Sequence, residues 1–222
     1  MSFIVKNTTI LSPLDLIAPH SCRGCGRLGE VLCDCCKNHI ISAHARLDQN
    51  LAPSPNDLPP MFYINERSNL LATLIHDYKY QSVRALGPKF AEILSEILPQ
   101  NLPKNAVLVP LPTSTKHIRE RGFDHTLSIA KRLAKMRNLK LEKLLLRAKN
   151  TVQVGTDKKT RESQASSAYL VNPKITIDPQ TTYILFDDVL TTGASMRAAL
   201  KKLRENGAQN FIIVLLAVNR LN

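Results

Sequence analysis

The chain has 222 residues, with 30 Lys and Arg against 18 Asp and Glu, a formal charge of +12 with histidine neutral. Hydrophobic residues make up 44% and charged residues 22%, the mix of an ordinary folded protein, and the length suits one sizeable domain with or without a small appendage. Trp is absent and aromatics are 5%, which argues against a broad base-stacking platform; the longest purely apolar run, Phe211 to Val218, falls well short of the ~20 residues of a membrane span.

Taken in order, the amino terminus lacks the basic start and apolar stretch of a secretory signal, so a cytoplasmic protein is expected. Ser12-Pro13 reads as a helix start that runs toward a cysteine cluster. All five cysteines lie between Cys22 and Cys36, which suits a metal site in a reducing compartment better than a secreted disulfide framework. Cys22-x2-Cys25 and Cys33-x2-Cys36 are two chelating pairs, and four thiolates satisfy a tetrahedral, structural Zn²⁺. Gly24 and Gly26 fit the tight turn of such a knuckle. Cys35 could replace Cys36, and His20 or His39 could also ligate; a redox-active CxxC is the rival, disfavoured by two pairs so close together. A module this small would be held together by its ion.

Four prolines between Pro53 and Pro60 mark a linker, dividing an N-terminal zinc-finger-like module, residues 1–52, from a main domain, residues 61–222. Leu71, Leu74, Ile75 and Tyr78, then Phe90, Ile93, Leu94 and Ile97, predict amphipathic helices broken near Gly87-Pro88. Ala106 to Leu111 predicts a buried strand, Phe123 to about Arg137 a helix with Leu127, Ala130, Leu133 and Ala134 on one face, and Asn150 to Ser167 a mobile loop. Thr182 to Phe186 predicts a second buried strand, Met196, Ala199, Leu200 and Leu203 a helix ending at Gly207, and Phe211 to Val218 a last strand. Such alternation implies an α/β fold with a parallel sheet and flanking helices. Between Lys116 and Arg161, 14 basic against 4 acidic residues concentrate a net +10, a field that attracts phosphorylated small molecules or nucleic acid.

The strongest pattern is Tyr183-Ile184-Leu185-Phe186-Asp187-Asp188-Val189-Leu190-Thr191-Thr192-Gly193-Ala194-Ser195. A strand end delivers two carboxylates, and a short turn leads into a helix whose amino-terminal N–H groups and dipole suit an anion. Thr191, Thr192 and Ser195 add hydroxyls, while Gly193 lets the chain approach a phosphate closely. Asp187 and Asp188 would be repelled by that phosphate, so they should bind sugar hydroxyls or help hold Mg²⁺. Phosphate at one end and vicinal hydroxyls at the other describe a ribose 5-phosphate.

On this segment the chain resembles the type I phosphoribosyltransferases. Val109-Pro110-Leu111-Pro112, Arg119-Glu120-Arg121-Gly122-Phe123-Asp124-His125, Leu146-Arg147, Thr151-Val152-Gln153, Thr160-Arg161, the upstream His76-Asp77-Tyr78-Lys79-Tyr80 and the cysteine pairs together resemble the ComF family. That resemblance implies a type I phosphoribosyltransferase-like domain behind a small zinc module, with a role in natural transformation and single-stranded DNA; some members are linked to phosphorylated-sugar or gluconate metabolism. One departure is visible: the family pattern Arg-Gly-Phe-Asn-Gln reads Arg121-Gly122-Phe123-Asp124-His125 here, and the acidic Asp124 argues against phosphate contact at that spot.

The resemblance implies binding of phosphoribosyl pyrophosphate with Mg²⁺. Asp187 and Asp188 are the catalytic candidates, and Lys79, Asp187, Asp188, Thr191, Thr192, Gly193, Ala194 and Ser195 the ligand-binding ones. Thr113, Ser114, Thr115 and Lys116 are expected to face the pyrophosphate, and Lys158, Lys159 and Arg161 to sit on a closing lid. The same cations could track single-stranded DNA, with Tyr63, Tyr78, Tyr80 and Phe123 as stacking candidates more readily read as core. Partners on this reading are a phosphosugar, single-stranded DNA and a competence helicase. The alternatives are a base-salvage phosphoribosyltransferase with no DNA role, and a non-catalytic binder that keeps the loop as a regulatory site.

Overall fold

Apolar strands without polar alternation need cover on both faces, and the fold supplies it. The computed structural model describes residues 20–41, 58–67, 69–148 and 168–219. In chain order the elements are α1 (Asp34–Ile41), β1 (Met61–Glu66), α2 (Asn69–Tyr80), α3 (Leu86–Ile97), β2 (Val107–Pro110), α4 (Thr115–Arg121), α5 (His125–Arg137), β3 (Lys140–Leu141), β4 (Leu145–Arg147), β5 (Tyr169–Val171), β6 (Thr182–Leu190), α6 (Ala194–Glu205) and β7 (Asn210–Val218). Five strands form one parallel sheet in the order β1-β7-β6-β2-β3, and β4 and β5 pair antiparallel beside it.

Alternation along the central strands divides the core in two. Ile184 and Phe186 of β6 and Val214 and Leu216 of β7 meet Leu71 and Leu74 of α2, Phe90 of α3 and Ile129 and Leu133 of α5. Tyr183, Leu185, Ile213 and Leu215 point the other way, onto Met196, Ala199, Leu200 and Leu203 of α6. The chain leaving β2 thus returns through α5 on one face, and the chain leaving β6 returns through α6 on the opposite face. That reversal opens a crevice at the carboxyl ends of β2 and β6, the place where open α/β sheets bind ligands.

Several local expectations shift. The break between α2 and α3 falls at residues 81–85, where Ser82 has φ 55°, while Pro88 sits in the first turn of α3, a position that tolerates its missing N–H. Helix α5 begins at His125 with Asp124 as its cap, and Ile129 rather than the half-buried Leu127 joins Ala130, Leu133 and Ala134 on the buried face. The start at Ser12-Pro13, most of the proline-rich stretch and the whole 150–167 loop, with Lys158, Lys159 and Arg161, lie outside the described residues.

The cysteine segment is packed into the rest. Cys22, Val31, Leu32, Cys33, Cys36 and Ile40 share one apolar cluster with Ile64, Leu71, Leu74 and Phe90. Lys37 reaches Glu92 at 2.9 Å and Glu96 at 2.7 Å, Lys89 reaches Glu30 at 2.8 Å, and the buried Asn65 amide donates to the Ile40 carbonyl at 3.0 Å. Among the described residues no helix is long and apolar enough to cross a membrane.

Candidate functional site

The crevice is a cavity of about 330 Å³, at the small end of the range for small-molecule sites. The loop after β2 gives Leu111, Pro112, Thr113 and Ser114 to its wall; β6 gives Asp187 and Asp188, and α6 gives Ser195. Lys79 and Tyr80 enter from the end of α2, His117 and Arg121 from α4, His125 and Thr126 from α5, and Arg147 and Tyr169 from the β4–β5 pair.

Asp188 is buried and accepts from two directions. The Lys79 ammonium lies 2.7 Å from Oδ2, and the ring Nε2 of His125 makes a short contact with the same oxygen. Burial alone would push this carboxyl up; the His125 bond and the Lys79 charge overcome it and hold the group down at about 2. Asp187 behaves oppositely. Burial first, then the neighbouring Asp188 charge, push its carboxyl up to about 7, although the Asp188 amide donates to its Oδ1 at 2.9 Å. Burial and the Asp187 charge also hold the Tyr169 hydroxyl above its usual value.

Arg121 ends α4, where Gly122 at φ 73° turns the chain toward α5. Its guanidinium lies over the Tyr80 ring at 5.0 Å, donates to the Tyr80 hydroxyl at 3.2 Å and meets His125 Nδ1 at 2.9 Å. Its Nε is buried with no partner. Asp124 caps α5 by accepting from the Leu127 amide at 3.1 Å and from the Thr113 hydroxyl at 3.0 Å.

The residues singled out from sequence thus divide. Lys79, Asp187, Asp188 and Ser195 surround one cavity; Thr191, Thr192, Gly193 and Ala194 form the turn beside it without lining it. Thr191, Thr192 and Ala194 are exposed, and Gly193 adopts φ 73° as the residue before α6. Arg197 folds back over this turn, donating to the Thr192 carbonyl at 2.6 Å, with Nη1 2.8 Å from where a Cβ on Gly193 would stand. Thr113 and Ser114 line the cavity as expected of that loop, but Lys116 is exposed on α4 and pairs with Glu120 at 3.9 Å. Of the stacking candidates, Tyr78 is core and Tyr63 and Phe123 are half-buried, whereas Tyr80 is 59% exposed at the cavity mouth. Arg121, His125, Arg147 and Tyr169 were not among the expected site residues, although Arg121, His125 and Arg147 lie in the segments that carry the family resemblance.

A hard cation held by one carboxylate together with phosphate oxygens and waters fits this donor set. Asp187 can offer oxygen to it, whereas Asp188 is already engaged by Lys79 and His125. The second candidate centre is Cys22, Cys25, Cys33 and Cys36, whose four sulfurs lie within 4.8 Å of one another, a set that could hold zinc. Cys35 is exposed and outside the group. Backbone N–H groups of Cys33 and Gly24 point at the Cys22 sulfur, both at 3.4 Å. Against burial, such bonds lower the Cys22 thiol to about 6, while burial pushes Cys36 up.

No family profile matches the chain. It is 26% identical over 200 residues to the competence protein ComFC of Bacillus subtilis (strain 168), covering 88% of this chain and 76% of that protein. Among solved structures, the glutamine phosphoribosylpyrophosphate amidotransferase of B. subtilis matches with TM-score 0.45 at 15% identity over 63% of this chain. An adenine phosphoribosyl transferase from Trypanosoma brucei matches with TM-score 0.41 at 10% identity, over 73% of this chain and 84% of its own. The chain spans about 30% of the length of the amidotransferase.

Proposed function

We propose that this chain, which is similar to ComF proteins along most of its length, binds a phosphoribosyl ligand, phosphoribosyl pyrophosphate with Mg²⁺, in the crevice between β2 and β6 and acts in the cytoplasm on incoming single-stranded DNA. The observation that carries the ligand is the cavity at the strand reversal. Two carboxylates stand at one wall of it, and the glycine turn into α6 stands beside it. The sugar phosphate lies against Ser195 and the first turn of α6, where Arg197 adds a cation, and the ribose hydroxyls meet Asp187. Asp187 would hold Mg²⁺ on the protein side, and the ion would supply charge neutralisation to a leaving pyrophosphate. Thr113, Ser114, Arg121 and Arg147 face the space left for the diphosphate. Phosphoribosyl transfer needs little proton movement; these residues orient the charged groups and keep water out.

The DNA reading rests on the ComFC likeness and on the central basic block, whose cations would contact a strand by its phosphates and lose it steeply with salt. A competence helicase is the partner class that such a role calls for.

A thermal-shift and calorimetric titration with phosphoribosyl pyrophosphate and Mg²⁺ tests the site. Binding lost in an Asp187→Ala, Asp188→Ala double variant supports it, and no binding by the unmodified chain overturns it. Electrophoretic retardation of single-stranded DNA at low salt tests the second half; its absence removes the DNA role and leaves base salvage as the stronger reading.

A further inference from the structure

Asp187 and Asp188 are neighbours in an extended strand, so their side chains leave it on opposite sides. Asp188 follows Ile184 and Phe186 toward α2 and α5; Asp187 follows Tyr183 and Leu185 toward α6 and the β4–β5 pair. The two faces are chemically unequal. On its side Asp188 makes contact with Lys79 and His125, whereas Asp187 feels the Lys79 charge, and less strongly that of Arg147 at the cavity wall, without pairing with either.

His125 can be read further from its neighbours. The Asp188 carboxylate only accepts, so the ring Nε2 that meets it carries a proton; Arg121 Nη1 lies 2.9 Å from Nδ1 and 3.4 Å from Nε2, against the ring and not in line with either nitrogen, and the Thr126 hydroxyl lies 3.3 Å from Nε2. The ring is fixed from every side. Its backbone carbonyl accepts from the Tyr78 hydroxyl at 3.2 Å, Asp124 caps its helix, and Arg121 is itself pinned by the Tyr80 hydroxyl and ring.

We infer that His125 is a positioning residue of the phosphoribosyl site: donating from Nε2, it and Lys79 commit Asp188 to the protein and leave Asp187 as the carboxyl that meets the ligand. This rests on the phosphoribosyl reading above for what the cavity binds, and on hydrogen-bond geometry alone for the state of the ring. The role needs one donor on a planar group of this reach. Gln supplies it and Leu does not, so the two substitutions separate polarity from packing.

The test uses the full chain loaded with zinc. Long-range ¹⁵N–¹H imidazole spectra at pH 7.5 report which ring nitrogen carries the proton, with His125→Gln identifying the signal among the six histidines. A proton on Nε2 is expected; a ring that carries its proton on Nδ1 alone overturns the inference. Calorimetry with ribose 5-phosphate then compares variants. His125→Leu is expected to weaken binding by about tenfold or more, the loss of one hydrogen bond to a charged group, and His125→Gln to restore it to within about threefold. Equal affinity in His125→Leu, or a Gln variant no better than Leu, overturns the positioning role. If His125→Leu fails to fold, the wild-type spectrum and the Gln variant still decide. Failure of the unmodified chain to bind ribose 5-phosphate sinks the ligand assignment instead, a result distinct from a wrong tautomer.

Discussion

Asp187→Asn should make the protein more stable, and more so as pH rises. In the folded chain the Asp187 carboxyl is held at about 7 against an ordinary 3.8. Between those values the native state keeps a proton that the unfolded chain has released, so stability falls as pH rises across the window and levels off above about 7. The gap corresponds to about 4 kcal/mol at ~1.36 kcal/mol per pH unit. Partial exposure of the side chain at the cavity reduces this to about 2 kcal/mol. Asn removes the charge and keeps an oxygen for the Asp188 amide. The variant should therefore exceed wild type by about 2 kcal/mol at pH 8, shrinking to below about 1 kcal/mol at pH 5. Urea unfolding of both chains at the two pH values measures the difference, and titration of the cysteines, common to both, cancels from it. An equal gain at both pH values, or a loss at pH 8, would refute the claim that Asp187 is ionised there only at a cost. Weaker ribose 5-phosphate binding in the same variant would show what that cost maintains.

Gly193→Ala places a Cβ at φ 73° and 2.8 Å from Arg197 Nη1. It should lower the melting temperature by a few degrees, and Arg197→Ala in the same chain should recover only the steric part, since the backbone strain of about 1–2 kcal/mol remains. Tyr78→Phe removes the hydroxyl that reaches the His125 carbonyl and should cost about 1 kcal/mol in chemical unfolding, against about 3–5 kcal/mol for Tyr78→Ala, which empties the space between Phe90 and Phe123. Metal analysis should find about one zinc per chain, lost in Cys36→Ser while Cys35→Ser retains it; an unchanged metal content in Cys36→Ser would reject the four-cysteine centre.

The central sheet was legible because β2, β6 and β7 are apolar on both faces, the pattern that parallel strands with two covered sides require. Strand β1 was not. It is an edge strand beside β7, with half-buried residues at four of six positions, and its sequence Met61–Glu66 follows prolines with no clean periodicity. The two-residue β3 owes its existence to pairing with Val107 and Leu108, which no local signal carries. Asp187 and Asp188 could be picked out since strand, turn and helix are contiguous there. Arg121 and His125 could not, because they join the cavity through meetings with Tyr80 and Asp188 across 41 to 63 residues of sequence. Asp124, read as an obstacle to phosphate, turns out to serve as a helix cap, a task for which Asp and Asn are near equals.

The cysteine segment closes one wall of the apolar cluster formed by α2 and α3, with Cys22, Cys33 and Cys36 themselves among the covered side chains. With zinc on the four clustered sulfurs, a nascent chain that lacked the ion would leave Leu71, Leu74 and Phe90 without that cover, and would present a greasy flank to every chaperone and protease it met. Supply of zinc would then act as a quality check on new molecules, setting how much of the protein survives synthesis.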